Sequence, residues 1–278
     1  MARKVGVTAA AGQTLAAQVA EAGAQYAPQS VDMVRDQNMR AGIVGRDPRE
    51  QRRNQWRLRV HYRKDGRLAF LGHLEIVNTI NRCVRRAGLP LAVGNGFARR
   101  IRLQFSQALP VGAASADEYY DVYLTDRVDE DQALELLQGA TPHSLAPIEV
   151  TYAPNPQPAL ESWLDHASWQ VDFLEPCDPQ VLKRGIEQLQ GEGTLCYLRG
   201  AKEKHVNLSH CLLSWEVVGE VDALTLKLET ATDEAASLRP QILIQKAMES
   251  QGLAAPRSLR VTRLSQWHEE GGVRSYAM

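Results

Sequence analysis

The chain has no apolar run long enough to cross a bilayer, only four cysteines, all far apart, and not one acidic residue between Ile76 and Ala116. Each shortage excludes something. The longest apolar stretches, such as Leu89 to Val93, fall far short of the roughly 20 residues of a spanning helix. The N-terminal MARKVGVTAAAGQTLAAQVAEAG lacks the continuous apolar core of a secretory signal, so a cytoplasmic address with no membrane partner is expected. Cys83, Cys177, Cys196 and Cys211 show neither the close pairs of a zinc site nor the clustered triplet of an iron–sulfur centre. Reduced thiols are expected, with no metal and no cofactor. A nucleophile elbow, a P-loop and a dinucleotide fingerprint are all missing, which points to a site that holds a ligand without transforming it.

What is present is charge, unevenly distributed. Net charge is only -1, yet residues 1–102 hold 19 Lys and Arg against 7 Asp and Glu, while residues 103–278 hold 13 against 26. Such a dipole suits a polyanion-binding face on a protein whose other side stays soluble. The alternative is that the two halves attract each other inside one fold or across a homodimer. The acid-free stretch favours an external anion, because the arginines within it lack local partners.

The periodicities organise the chain. Residues 1–55 read as a flexible basic arm, alanine-rich and then dense in arginine. WRLRVHYRK from Trp56 alternates like a half-buried strand whose polar face is entirely basic or histidine. Leu71, Leu74, Val77, Ile80 and Val84 recur at helical steps, and Gly88 with Pro90 ends that helix. IRLQFSQ and SADEYYDVYLTD are strands, DEDQALELLQGA a helix closed by Gly139, and APIEVTYA a strand. After a proline-rich linker over 154–167, the order of elements recurs. WQVDFLE is a strand, DPQVLKRGIEQLQG a helix capped by Asp178, and HCLLSWEVVG and ALTLKLETA are strands. LRPQILIQKAMESQG is a helix ended by Gly252, and RSLRVTRLSQW the last strand. The expected fold is α+β, with tandem ferredoxin-like (βαββαβ) domains over 56–153 and 168–267 and a tail over 268–278. Paired domains of this kind leave a groove between their sheets.

The arginines concentrate around one turn. Arg82, Arg85 and Arg86 close the first helix, and Arg99, Arg100 and Arg102 follow the loop VGNGFARR. Gly94, Asn95 and Gly96 permit positive φ and a concavity of backbone N–H groups, and guanidinium forks match phosphate oxygens. Phe97 could stack on a base or plug the core. Arg85 and Arg86 also suit a helix C-terminus for purely structural reasons. His73, opening the same helix, is a capping or core-edge histidine, or else a general base or ligand near the basic loop. His205 and His210 carry the same two readings.

RLAFLGHLEIVNTINRCVRRAGLPLAVGNGFARRIRLQFSQALPVGAASADEYYDVYL resembles the opening of the radical-SAM-linked protein family, a bacterial domain of unknown function found beside or fused behind B12-binding-type radical SAM proteins. Phe70, His73, Leu74, Arg86, Ala87, Gly88, Leu89, Pro90, Gly96, Phe97, Leu109, Pro110, Gly112, Ser115 and Glu118 fall on its pattern. KEKHVNLSHCL and SLRPQILIQKAM follow in the expected order, so the likeness spans about 57–265. Departures are Gly72 and Glu75 around His73, Ala98-Arg99 after the phenylalanine, and Asn207 in place of an aspartate. The resemblance implies a radical SAM enzyme as partner and a connection to ribosome or RNA maturation. It implies no reaction.

Together these readings lead to the expectation of a non-catalytic RNA-binding adaptor for a radical SAM enzyme acting on ribosomal or transfer RNA. The site would be Arg82, Arg85, Arg86, Gly94, Asn95, Gly96, Phe97, Arg99, Arg100 and Arg102. Two alternatives stay open, a metal-independent endoribonuclease with His73 as base and a protein-only scaffold for an acidic partner.

Overall fold

The structure is a computed structural model describing residues 55–94, 99–154, 157–232 and 237–278. The basic arm read over 1–55 therefore lies outside the described residues, Gln55 excepted. The fold is mixed α+β, built on one large mixed sheet.

Strand β1 (Trp56–Lys64) coincides with its sequence signature. It leads through a 3-10 turn at Gly66–Phe70 into α1 (His73–Arg86). Strands β2 (Leu103–Phe105) and β3 (Ala113–Leu124), helix α2 (Glu130–Ala140) and β4 (Pro147–Tyr152) complete the first half. After the single helical turn α3 (Leu160–Trp163), the second half runs β5 (His166–Phe173), α4 (Pro179–Glu192), a hairpin β6 (Thr194–Arg199) and β7 (Lys202–Asn207), and a second helical turn α5 (Leu208–Cys211). Then come β8 (Leu212–Val218), β9 (Thr225–Ala231), α6 (Pro240–Ser250), β10 (Leu259–Glu270) and β11 (Val273–Ser275).

The sheet order is β4-β1-β3-β10-β5-β9-β8, with β2 added to β3 and β11 to β10. Every pairing is antiparallel except β3 with β10, which run parallel over Ala113–Ser115 and Val261–Arg263. That one ladder fuses the halves into a continuous sheet. The seam is filled: Glu118 on β3 accepts from Arg263 Nε at 2.9 Å and also pairs with its Nη2, while Asp117 Oδ2 accepts the Gln266 backbone N–H at 2.6 Å. The groove expected between two separate sheets is thus closed among the described residues.

Alternation along β1 explains the layering. Leu58, Val60 and Tyr62 face the helices and join Ile76, Ile80 and Val84 of α1 and Ala133 and Leu137 of α2 in one core. Each Leu, Ile or Val side chain among them is worth about 1.5–3 kcal/mol when removed from water. A second core gathers Val171, Leu182, Ile186, Leu226, Leu243 and Ile244 under α4 and α6. Where those helices cross, a Cβ on Gly185 would lie 2.2 Å from the Ala247 carbonyl oxygen, so only glycine lets the backbones meet. Asp178 caps α4 as expected, its Oδ1 accepting from the Gln180 and Val181 backbone N–H groups. Gly88 and Gly252 take the left-handed φ of +74° and +72° that their positions after α1 and α6 suggest.

Several sequence expectations need correction. The buried stripe of α1 is Ile76, Ile80, Cys83 and Val84, whereas Leu74 is 75% exposed: the helix starts only at His73, so Leu74 precedes the first inward turn. IRLQFSQ shrinks to a three-residue strand at the edge of β3. Gly139 does not close α2, which runs on to Ala140 and ends at Thr141, whose Oγ1 donates to the Leu137 carbonyl at 2.7 Å. The segment read as linker contains α3, whose Leu160 is buried, as is Leu164 just beyond it; the tail contains β11 and buried Ala277. Leu160, Leu164 and Ala277 cluster with Tyr119, on the sheet face opposite the helices. The β6–β7 hairpin escaped the sequence reading altogether. Among the described residues no helix is long and apolar enough to cross a membrane.

Candidate functional site

The basic face of β1 is buried at Arg57 and Arg59 and reaches solvent only toward its end, where His61 is half-buried and Arg63 exposed. Arg57 and Arg59 are each 2% exposed and converge on Asp121 of β3, which is fully buried. Asp121 Oδ2 accepts from Arg57 Nε at 2.6 Å, and its two oxygens accept from Arg59 Nε and Nη2 at 2.9 and 3.2 Å. The remaining guanidinium donors reach the carbonyls of Gln157, Pro158 and Ala277. Register explains the match, since Arg59 stands directly opposite Asp121 in the β1–β3 ladder. His61 stacks on Tyr119, ring centroids 4.9 Å apart, and its Nε2 lies 3.1 Å from Asp117 Oδ1. Burial, with Asp117 at the end of a 2.5 Å hydrogen bond from the phenol, pushes the Tyr119 hydroxyl up in pKa. On the helix side, burial pulls the Lys64 ammonium down, opposed by Glu118 and reinforced by Arg263. Its Nζ donates to the Leu71 carbonyl at 3.0 Å.

The arginines of the acid-free stretch behave differently. Arg82, Arg85 and Arg86 are exposed on the last turns of α1 and, with Thr79 and Cys83, line one shallow concavity. Arg85 Nε donates to Asn81 Oδ1 at 3.0 Å, and Arg86 Nη2 to the Ala140 carbonyl at 2.8 Å, tying the ends of α1 and α2 together. Residues 91–94 and 99–103 run as a hairpin. Val93 bridges Ile101, the Gly94 N–H donates to the Arg100 carbonyl at 2.8 Å, and Ala92 and Arg102 hydrogen-bond to Tyr123 of β3. Arg99 and Arg100 are exposed at its tip. Asn95, Gly96 and Phe97 lie outside the described residues. Arg102 is half-buried, its guanidinium 4.1 Å above the Tyr123 ring and hydrogen-bonded to Gln55. The two arginine groups flank the segment from Ala87 to Gly94, and the α1 concavity includes neither Arg99 nor Arg100.

Among the described residues no carboxylate lies within 4.0 Å of Arg82, Arg85, Arg86, Arg99 or Arg100. Arg99 is also the one described non-glycine residue with positive φ, +40°. At the same end of the sheet stand residues that sequence reasoning missed. Arg127 lies 5.4 Å from the Trp56 ring and 4.8 Å from that of Tyr152, and the two rings meet edge-on at 5.9 Å. The aromatic cluster joins the start of β1 to the end of β4, a proximity that neither segment reveals alone.

His73 is the first residue of α1, half-buried and edge-on to Phe105 at 6.1 Å. The Gly72 N–H preceding it donates to Glu75 Oε2 at 2.8 Å, so Glu75 serves as a helix cap. Fourteen residues of helix, about 20 Å, separate His73 from Arg86. The described residues contain one Cys, His and carboxylate group with metal-ligand proximity, Cys196, Glu203 and His205, and it belongs to the β6–β7 hairpin.

A sequence profile of uncharacterized proteins conserved in bacteria, DUF2344, matches residues 57–240. The chain belongs to that family. The match covers the first half entire and reaches the start of α6, so the arginine-bearing helix and hairpin are DUF2344 territory. No curated protein matches the chain. A crystal structure of an unknown protein from Galdieria sulphuraria is similar at 10% identity over 75% of this chain and 98% of that one, with a TM-score of 0.22.

Proposed function

We propose that this DUF2344 protein is a non-catalytic RNA-binding adaptor that holds structured RNA, ribosomal or transfer, for a radical SAM modifying enzyme. The observation that carries the RNA part is the division among arginines. Arg57, Arg59 and Arg263 are buried and matched to carboxylates, whereas Arg82, Arg85, Arg86, Arg99 and Arg100 are exposed with no carboxylate partner among the described residues. Arg85 and Arg86 use donors on Asn81 and the Ala140 carbonyl, yet the positive charge of all five stays without a carboxylate along one helix end and one hairpin. Phosphates supply the missing counter-charge. Positive φ at Arg99 supports the same reading, since strained backbone persists where a ligand requires it. The radical SAM partner rests on the sequence resemblance alone.

We read each half as a ferredoxin-like unit. In support, β4-β1-β3-β2 and β10-β5-β9-β8 repeat one antiparallel order, and the β6–β7 hairpin is an insertion in the second unit. With the seam closed, RNA is expected along the α1 and hairpin edge.

The test is a salt titration of binding to a structured RNA. Five phosphate contacts predict a slope of about -3.5 to -4.5 in the logarithm of the association constant against log salt, hence an affinity loss of roughly 100- to 500-fold between about 50 and 200 mM. Arg85→Ala and Arg100→Ala should each lower the slope by just under about one unit. Binding indifferent to salt would end the RNA reading. Recovery of a radical SAM enzyme from cell extract that depends on intact RNA fits the adaptor, and recovery that survives nuclease treatment transfers the reading to a protein scaffold. His73→Ala should leave affinity unchanged; loss of a cleavage product in that variant would make the protein a nuclease instead.

A further inference from the structure

The β6–β7 hairpin presents chemistry that the RNA reading does not use. Its turn is Gly200-Ala201, and Gly200 has φ +63° while Ala201 is not among the residues of positive φ, the signature of a type II′ turn. That turn fixes register, pairing Arg199 with Lys202, Leu198 with Glu203, Tyr197 with Lys204 and Cys196 with His205. Period-two alternation then sorts the side chains. Leu195 and Val206 are buried in the second core, so Cys196, Glu203 and His205 must leave together on the outer face, where all three are exposed. Counting from the turn, the Cys196–His205 pair is of the non-hydrogen-bonded kind, whose side chains approach most closely. Cys196 Sγ lies 3.0 Å from His205 Nδ1, and His205 Nε2 lies 3.8 Å from Glu203 Oε2. One donor atom from each residue fits within 4.8 Å of the other two.

We propose that this face is a zinc site with ligands Cys196, His205 and Glu203 and a solvent-facing fourth position. One sulfur, one imidazole nitrogen and one carboxylate oxygen select a borderline-soft divalent cation over calcium or magnesium. Three protein ligands of four leave room for a water or for a donor from a partner molecule. The hairpin's cationic side chains, Arg199, Lys202 and Lys204, belong to the opposite face by the same alternation. Binding requires the thiolate, so the Cys196 proton is released to solvent as the metal–sulfur bond forms, and affinity rises with pH. The site departs from the sequence expectation of no metal, which rested on spacing along the chain; Cys196 and His205 are nine residues apart, and the turn closes that distance. It is independent of the RNA reading.

The test uses the reduced, metal-stripped full chain titrated with Co²⁺ and then Zn²⁺. Every cysteine and histidine in the sequence lies within the described residues, so competing sites are few. Expected are one equivalent of Co²⁺ with a thiolate charge-transfer band, displaced by one equivalent of Zn²⁺. Cys196→Ser should abolish the band and His205→Gln should weaken Zn²⁺ binding at least about 100-fold. Glu203→Gln should weaken it about 10- to 100-fold. All three residues are exposed, so thermal unfolding of the variants should match the parent. No charge-transfer band, or a band that survives Cys196→Ser, overturns the proposal. Protection of Cys196 from thiol reagents by Zn²⁺ must disappear in His205→Gln, and its persistence there overturns the assignment of His205.

Discussion

Replacing Asp121 by Asn tests whether Arg57 and Arg59 serve the fold. The change is nearly isosteric, so packing is kept while the charge goes. In the parent, this fully buried carboxylate takes hydrogen bonds from Arg57 Nε and from Arg59 Nε and Nη2 at 2.6, 2.9 and 3.2 Å. The amide retains one acceptor oxygen and turns an NH₂ donor toward a guanidinium, leaving two buried cations without a counter-ion. Stripping the partner from a buried ion pair costs about 3–5 kcal/mol, and the backbone carbonyls of Gln157, Pro158 and Ala277 that remain supply dipoles without charge. With a urea m-value of roughly 2 kcal/mol/M, the midpoint should fall by about 1.5–2.5 M. Arg85→Ala, on the exposed face, should shift stability by no more than about 0.5 kcal/mol. A cycle with Arg59→Met should show coupling of at least about 1.5 kcal/mol, because removing one cation relieves the Asn variant. The folded Asp121→Asn protein should keep the parent's salt slope for RNA. A stability loss under about 1 kcal/mol, or a changed slope, would refute the claim that Arg57 and Arg59 are internally spent.

Gly185→Ala should destabilise by about 1–3 kcal/mol in a denaturant titration, since the new methyl would lie 2.2 Å from the Ala247 carbonyl oxygen and must push α4 from α6. Gly139→Ala on α2, where a Cβ meets nothing within 4 Å, should instead stabilise by up to about 1 kcal/mol. Without metal, a thiol reagent should label one cysteine quickly, Cys196, because Cys83, Cys177 and Cys211 are buried and burial raises the Cys177 pKa further above the working pH. Lys64 has a lowered folded pKa, so the unfolded chain binds its proton more tightly and its contribution to stability improves as pH rises from the depressed value toward about 10.4. The stability difference between parent and Lys64→Met should therefore shift in the parent's favour across that window, and a pH-independent difference would contradict it.

Local signals were legible in the sequence wherever they were strong. The alternation of WRLRVHYRK marks β1 residue for residue, Asp178 with Pro179 marks the start of α4, and Gly88 and Gly252 mark the positions after two helices. Each depends on neighbours within a few positions, where periodicity and capping chemistry act. The order of strands and helices in both halves was readable for the same reason. The β6–β7 hairpin was not, because its outer face carries Cys, Leu, Glu and His in place of a clean polar alternation, and its turn is Gly-Ala instead of a strong Asn-Gly signal.

Which arginines face solvent was decided only by tertiary structure. Arg57, Arg59, Arg85 and Arg100 are chemically identical in the sequence, and the acid that neutralises the first two is more than 60 residues away. The fusion of the halves through β3 and β10 joins residues about 150 apart, so no local pattern announces it, yet it closes the groove expected between them. The approach of Cys196 to His205 depends on hairpin register, and register converts a nine-residue separation into a 3.0 Å contact. Composition and periodicity determine which residues can form a strand or a helix; partnership between charges or ligands is a matter of distance in space, and only the folded sheet sets that distance.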